Sequence, residues 1–327
     1  MRRRAFLSLL GGATLVHSKL ARAQKSPVRI GFLASGRATS AYSLAQIEAI
    51  RLGLADNGLV EKRDYILETR FAAGDYARFP DLAKDLARSE ATIILTNTIA
   101  SVRAAQALSP PVAVVMLPIN DPVQAGLIKS LAKTGNSTTG MATLAEDLTS
   151  KLLDFQKLIV PNARTIAALF NKANSTGPRF FENLKTQAAQ IGITALPFAM
   201  NSVGELDSTL AALAAQRPDT LQLISDSGTL DRSDQIASFA LTHKIPSFGT
   251  STIYAESGGL LTYGSSQAEL IRRSGYFVKR IIEGVPPSDL PVEQPTSLYL
   301  VVNLKTAKEL GVVIPVDLQL RADKIIE

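Results

Sequence analysis

Several small polar groups each follow an apolar run, and their types suit holding a small molecule. Thr96-Asn97-Thr98 follows Ile93-Ile94-Leu95, Asn120-Asp121 follows the run at 112–117, and Ser225-Asp226-Ser227 follows the run at 221–224. Ser35 after Phe32-Leu33 and Asn171 after Leu169-Phe170 stand in equivalent places. In an open parallel α/β sheet, ligands sit outside the carboxyl ends of the strands, where helix N-termini converge. Hydroxyls and amides at such ends donate to a carboxylate, which the nearby helix dipole also favours. Asp226, drawn partly out of water, would pair with an ammonium. The same residue types also serve as helix caps, and this second use applies to Thr96-Asn97-Thr98 and to Asp226. Asp121-Pro122 has the form of a cap followed by a first-turn proline. Tyr263, closing the run after Gly258-Gly259, offers a ring to an apolar ligand and a hydroxyl to a polar one, an idea that Tyr254 and Tyr42 repeat.

Bond-breaking chemistry finds little to work with. There is no Gly-x-Ser-x-Gly elbow, no His-Glu-x-x-His and no paired-acid motif. Zero cysteines remove thiol nucleophiles, thiolate metal sites, disulfides and lipid-modified cysteine anchors. Of the two histidines, His17 lies in the N-terminal segment, and His243 ends a helix before Ile245-Pro246, where a basic group suits the dipole. The expectation is a protein without catalytic residues, metal or cofactor.

The N-terminal segment has its own character. Arg2, Arg3 and Arg4 precede an apolar stretch at 5–16, and Ala21-Arg22-Ala23 supplies a small-x-small site. That is the pattern of a signal peptide cleaved near Ala23, its apolar part too short to span a bilayer. Arg3-Arg4-Ala5-Phe6-Leu7 resembles a twin-arginine signal, with the general export route as the alternative. The mature chain would then be free in the periplasm of a Gram-negative cell. Residues 1–23 hold five of the 35 Lys and Arg and no acid, leaving 30 basic against 29 acidic side chains. With so little net charge, nucleic acid and anionic membrane surfaces are not expected partners.

From residue 28 onward, short apolar runs alternate with amphipathic stretches, the pattern of parallel, doubly wound sheets. Strands are predicted at 28–33, 65–71, 92–96 and 112–117, then in a second series at 165–170, 194–199, 220–224 and 245–248. A helix from Ser43, with a Ser43-x-x-Gln46 capping box and an Asn57-Gly58 end, would bury Leu44, Ile47 and Leu54. Further helices are predicted at 176–191, 205–216 and 231–243. The chain is long enough for two lobes. The spacing assigns 28–142 with 252–288 to the first and 143–251 with 289–327 to the second, with crossings near 142, 251 and 290. Four prolines between Pro286 and Pro295 predict a stiff, extended connector. Arg272-Arg273 and Lys279-Arg280 read as the solvated face of a long helix.

Nearly the whole chain resembles the ABC-transporter substrate-binding proteins related to a tryptophan and tyrosine transport component. The resemblance rests on Gly74-Asp75-Tyr76, Asp121-Pro122-Val-x-Ala-Gly-Leu127, Gly258-Gly259-Leu-Leu-Thr-Tyr263-Gly264, Leu290-Pro-Val-Glu-Gln-Pro-Thr296 and Val302-Asn303-Leu-Lys-Thr-Ala307. It implies a type I periplasmic-binding-protein fold of two Rossmann-like lobes. It also implies a monomer that closes on a small molecule, such as an amino acid or another carboxylate, and delivers it to permease subunits. Where relatives carry a Gly-Gly-Thr-Pro-like turn, this chain has Thr96-Asn97-Thr98-Ile99. The alternatives are a module that senses its ligand for a membrane receptor, and an exported hydrolase.

Overall fold

A computed structural model describes residues 26–143 and 148–327; the leader expected at 1–23 lies outside the described residues. The first sheet is built by β1 (Val28–Ala34), β2 (Tyr65–Phe71), β3 (Ile93–Thr96), β4 (Ala113–Asn120) and β5 (Thr138–Thr143), all parallel, in the order β2-β1-β3-β4-β5. Between them run α1 (Ala41–Asp56), α2 (Phe79–Arg88) and α3 (Ile99–Gln106). Strand periodicity sorts the side chains onto two faces. Ile30, Phe32, Leu95 and Val115 pack under α1, while Leu33, Ile94, Val114 and Met116 pack under α2 and α3. Both faces are covered, so these strands read as continuous apolar runs rather than alternating ones.

The second sheet repeats that order. After α4 (Thr149–Ile159) come β6 (Thr165–Asn171), α5 (Gly177–Gln190), β7 (Thr194–Met200), α6 (Leu206–Gln216) and β8 (Thr220–Leu223). These are followed by α7 (Ser227–Leu230), α8 (Ser233–Thr242), β9 (Ser247–Ser251), α9 (Thr252–Glu256) and β10 (Leu261–Ser265). The order β7-β6-β8-β9-β10 matches that of the first sheet. Antiparallel β11 (Tyr299–Asn303) and then β12 (Lys324–Ile326) extend it beyond β10, with α11 (Leu304–Leu310) and α12 (Val316–Leu320) between them. In both sheets the winding reverses at one point, between β1 and β3 and between β6 and β8, and a crevice for ligand opens at such switch points.

Two expected crossings are displaced. The strand at 261–265 pairs with β9 and β11, so the chain stays in the second lobe past 251 and leaves only after Ser265. Helix α10 (Gln267–Ile282) then lies on α1 and the first sheet. The prolines do not simply extend the chain either. A 3₁₀ turn at Pro287–Asp289 leads into an edge segment, in which Glu293 N–H donates to Gly140 O (3.0 Å) and accepts Ala142 N–H at its carbonyl (2.8 Å). Leu290 and Val292 thereby join the first lobe's core, and the third crossing falls after Glu293.

Two local expectations also change. Helix α1 starts earlier than Ser43, because Ser40 caps it by accepting Ser43 N–H (3.1 Å). Its buried side is Ser43, Gln46, Ile50, Gly53 and Leu54, leaving Leu44 exposed. The reason is α10. A Cβ on Gly53 would lie 2.1 Å from Arg272 O, and one on Gly275 2.1 Å from Gly53 O, so the two helices meet backbone to backbone at these glycines. Arg272 and Arg273 are exposed but not merely solvated, since Arg272 pairs with Asp56 of α1 (2.8 Å) and Arg273 grips Glu293 with two bonds of 2.7 and 2.8 Å. Among the described residues no helix is long and apolar enough to cross a membrane.

Candidate functional site

Both switch points face one partly open cavity of about 60 Å³ between the lobes. The turn after β3 and the turn after β8 both enter it. Thr98 caps α3 by a reciprocal pair of bonds with Ser101, and Asp226 caps α7 by a reciprocal pair with Thr229. Each cap uses a side-chain oxygen to accept the otherwise orphaned N–H three residues on. Capping and cavity lining are therefore done by the same two residues.

Asp226 is buried. One carboxylate oxygen accepts Thr229 N–H (2.8 Å), and the other accepts Tyr76 O–H and Asn171 Nδ2–H, both at 3.2 Å. Burial is the larger influence and raises its pKa, while the donors from Thr229, Tyr76 and Asn171 oppose that rise. The Tyr76 phenol is pushed well above its ordinary value by burial first and then by the Asp226 charge. Burial likewise raises Tyr42. Both phenols therefore act as neutral hydrogen-bonding groups beside the carboxylate. Among the described residues lining the cavity, Asp226 is the one ionisable side chain.

The rest of the lining is neutral. Asn120 Oδ1 accepts from Thr143 Oγ1 (3.0 Å), but its Nδ2 has no partner among the described residues. The hydroxyls of Ser225 and Ser251 are likewise buried and unpartnered. Unpaired buried donors are costly, each by about 1–3 kcal/mol, and three around one cavity mark where a guest's polar atoms fit. Asn97 is held from behind, its Oδ1 accepting Ser35 N–H and its Nδ2 donating to Gln46 Oε1, both at 3.2 Å.

Asn97, Thr98, Asn120, Ser225 and Asp226 line the cavity as the sequence suggests. Other expected residues do not. Ser35 supports Asn97, Thr96 is buried at the end of β3, and Asn171 stands behind Asp226. Asp121 lies outside the lining, where it accepts Gln124 N–H (3.1 Å) and meets Arg179 of α5 (3.2 Å). Tyr263 is a correction with a clear cause. It packs edge-on against Phe155 at 5.5 Å, and the pairing of β10 with β9 shifts register before Ser265, which reaches the cavity instead. Tyr254 belongs to the core, and His243 ends α8 with its ring 4.4 Å from that of Phe239.

The strand-end rule had the means to find Thr250, Ser251 and Ser265, had β9 and β10 been drawn to their full lengths. Tyr76 carried no such signal. It comes from a 3₁₀ turn of the first lobe, and it meets Asp226 only because the two lobes face one another.

Two lobes of one winding order, three chain crossings and a polar cavity at the shared switch points define a two-lobed binding protein of the type I periplasmic-binding-protein fold. The chain belongs to the ABC transporter substrate binding protein family, whose model matches residues 40–326. It is accordingly a solute-binding component and not an enzyme. A tyrosine-binding protein of Clostridioides difficile is 23% identical over 257 residues, covering 79% of this chain and 74% of that one. The crystal structure of an ABC domain in complex with L-Trp from Streptococcus pneumonia superposes with a TM-score of 0.81 at 24% identity, over 91% of this chain and all of the other. A conserved domain protein from Vibrio cholerae gives a TM-score of 0.84 at 22% identity, over 92% and 100%.

Proposed function

We propose that this chain binds an amino acid, holding its ammonium at Asp226 and its carboxylate among the neutral donors of the same lining. The observation that carries the reading is the buried Asp226 carboxylate, which faces the cavity with hydrogen bonds but no cationic partner from the described lining. A ligand ammonium supplies the missing charge inside a low-dielectric site. Asn120 Nδ2 and the Ser225 and Ser251 hydroxyls are free to donate to a carboxylate. The tyrosine-binding relative and the L-Trp complex support the same ligand class.

Binding works through closure. A ligand that touches both lobes binds the shut form more tightly and so raises its population. The shut form is what permease subunits would receive from a monomeric protein in the periplasm, as the leader at 1–23 suggests. Native mass spectrometry of freshly purified protein tests this directly, since a tight binder keeps its guest. An amino acid mass lost on Asp226→Asn supports the reading, and a retained ligand lacking an amine overturns it.

A further inference from the structure

A second carboxylate of the same turn lies outside the cavity. Asp231 follows α7 in the second lobe, and its side chain is 3% exposed. Its partners come from the first lobe, 191 and 194 residues away. Ser40, the cap of α1, donates its hydroxyl to one carboxylate oxygen, and Arg37 Nε reaches the other at 3.2 Å. Arg37 Nη2 also points to the Asp231 carbonyl at 3.5 Å. Within its own lobe Asp231 has Arg232 at 3.7 Å. The first-lobe loop is shaped to come this close, because a Cβ on Gly36 would stand 2.7 Å from Asp231 Oδ1.

We infer that Asp231 is the positioning residue for lobe closure, a latch that favours the shut form without touching the ligand. The inference rests on the closure reading above. Other contacts bridge the lobes, but they differ in kind. Tyr76 to Asp226 and Ser227 Oγ to Asn97 O (2.8 Å) belong to the ligand site itself. Asp121 and Arg179 are each about a third exposed, so water and salt screen that pair. The difference lies in the carboxylate, since Asp231 is 3% exposed where Asp121 is 34% exposed; Arg37 itself is 45% exposed, so the pair is shielded from water at the Asp231 end. Separation of the lobes leaves its carboxylate to water and Arg232.

The absence of native cysteines makes the test simple. Spin labels at Glu48→Cys on α1 and Ser238→Cys on α8, both exposed, report the distance between lobes in the full chain without added ligand. Asp231→Asn is expected to lower the shut-to-open ratio by about tenfold or more, and Gly36→Ala to lower it too, its added methyl standing 2.7 Å from Asp231 Oδ1 but also 2.5 Å from Ser43 Oγ of its own lobe. Arg37→Gln, a change at a half-exposed side chain, carries the same direction with a smaller size should Asp231→Asn fail to fold, and 1 M salt should shift the parent toward it. Equal distance distributions in parent, Arg37→Gln and Gly36→Ala overturn the latch. A thermal-shift panel of the twenty L-amino acids separates the two ideas. No response from any of them, with distances still changed by the variants, removes the amino acid reading and leaves the latch. A response unchanged by Arg37→Gln, with unchanged distances, does the reverse.

Discussion

The turn after β3 and the turn after β8 occupy the same place in two sheets of the same winding, yet one ends in Thr98 and the other in Asp226. Both solve the same local problem, the orphaned amides at a helix start. They differ in what remains afterwards. The Thr98 hydroxyl stays neutral and is engaged by Ser101. The Asp226 carboxylate spends one oxygen on its cap and is left with a charge that burial opposes. A duplicated architecture thus becomes a polarised site through one residue type at one position. What is a cap in one lobe is a cap and, under the proposed function, the partner of a ligand ammonium in the other.

That contrast can be broken or sharpened by measurement. Asp226→Asn should weaken an amine-bearing ligand by about 2 kcal/mol or more, because the ligand's charge would be buried without its partner; titration calorimetry with the co-purifying ligand reads this, and unchanged affinity would dissolve the contrast. Ser251→Ala should lower affinity by about 0.5–1.5 kcal/mol through one lost hydrogen bond. In the empty protein it should leave melting unchanged or slightly improved, since a buried unpaired hydroxyl is removed. Thr98→Ala should cost about 1 kcal/mol of stability by loss of the cap, seen in urea melts, with a smaller effect on binding than Asp226→Asn.

The smallest effect is in pH dependence. Burial raises Asp226 above its value in the unfolded chain, so just above the ordinary aspartate range the folded protein holds a proton that the unfolded chain has lost. Stability from this group is therefore present at low pH and falls as pH rises through the raised value. Urea melts of the ligand-free parent should show this slope, and Asp226→Asn should lack it; parallel profiles would mean that Asp226 is not strained by burial.

Much of the scaffold was legible because its strands are sandwiched. Apolar runs such as those at β1 and β6 admit little else once flanked by amphipathic helices. β5 was not legible, since Thr138-Thr139-Gly140-Met141-Ala142-Thr143 lacks a hydrophobic period. Gly140 is needed there at φ 126°, where a Cβ would lie 2.2 Å from Met116 O. Its edge partner at Glu293 lies some 150 residues downstream, a pairing that no local pattern announces. The same limit governed the site. Asn97, Thr98, Ser225 and Asp226 follow from strand ends within one sheet, whereas Tyr76 and the latch at Asp231 depend on how two sheets face each other. Tyr263 failed for a smaller reason, a register shift that re-aims the last residues of one strand.

The backbone contact between α1 and α10 carries a last consequence. Ser265 ends a strand of the second lobe, while Gln267 begins a helix fastened to the first, and both line the cavity. Under the closure proposed above, parting of the lobes would act across Ser266, the one residue between Ser265 and Gln267. A guest lodged there would feel the bend itself, and a substitution at Ser266 would alter how far the mouth gapes as well as what it grips.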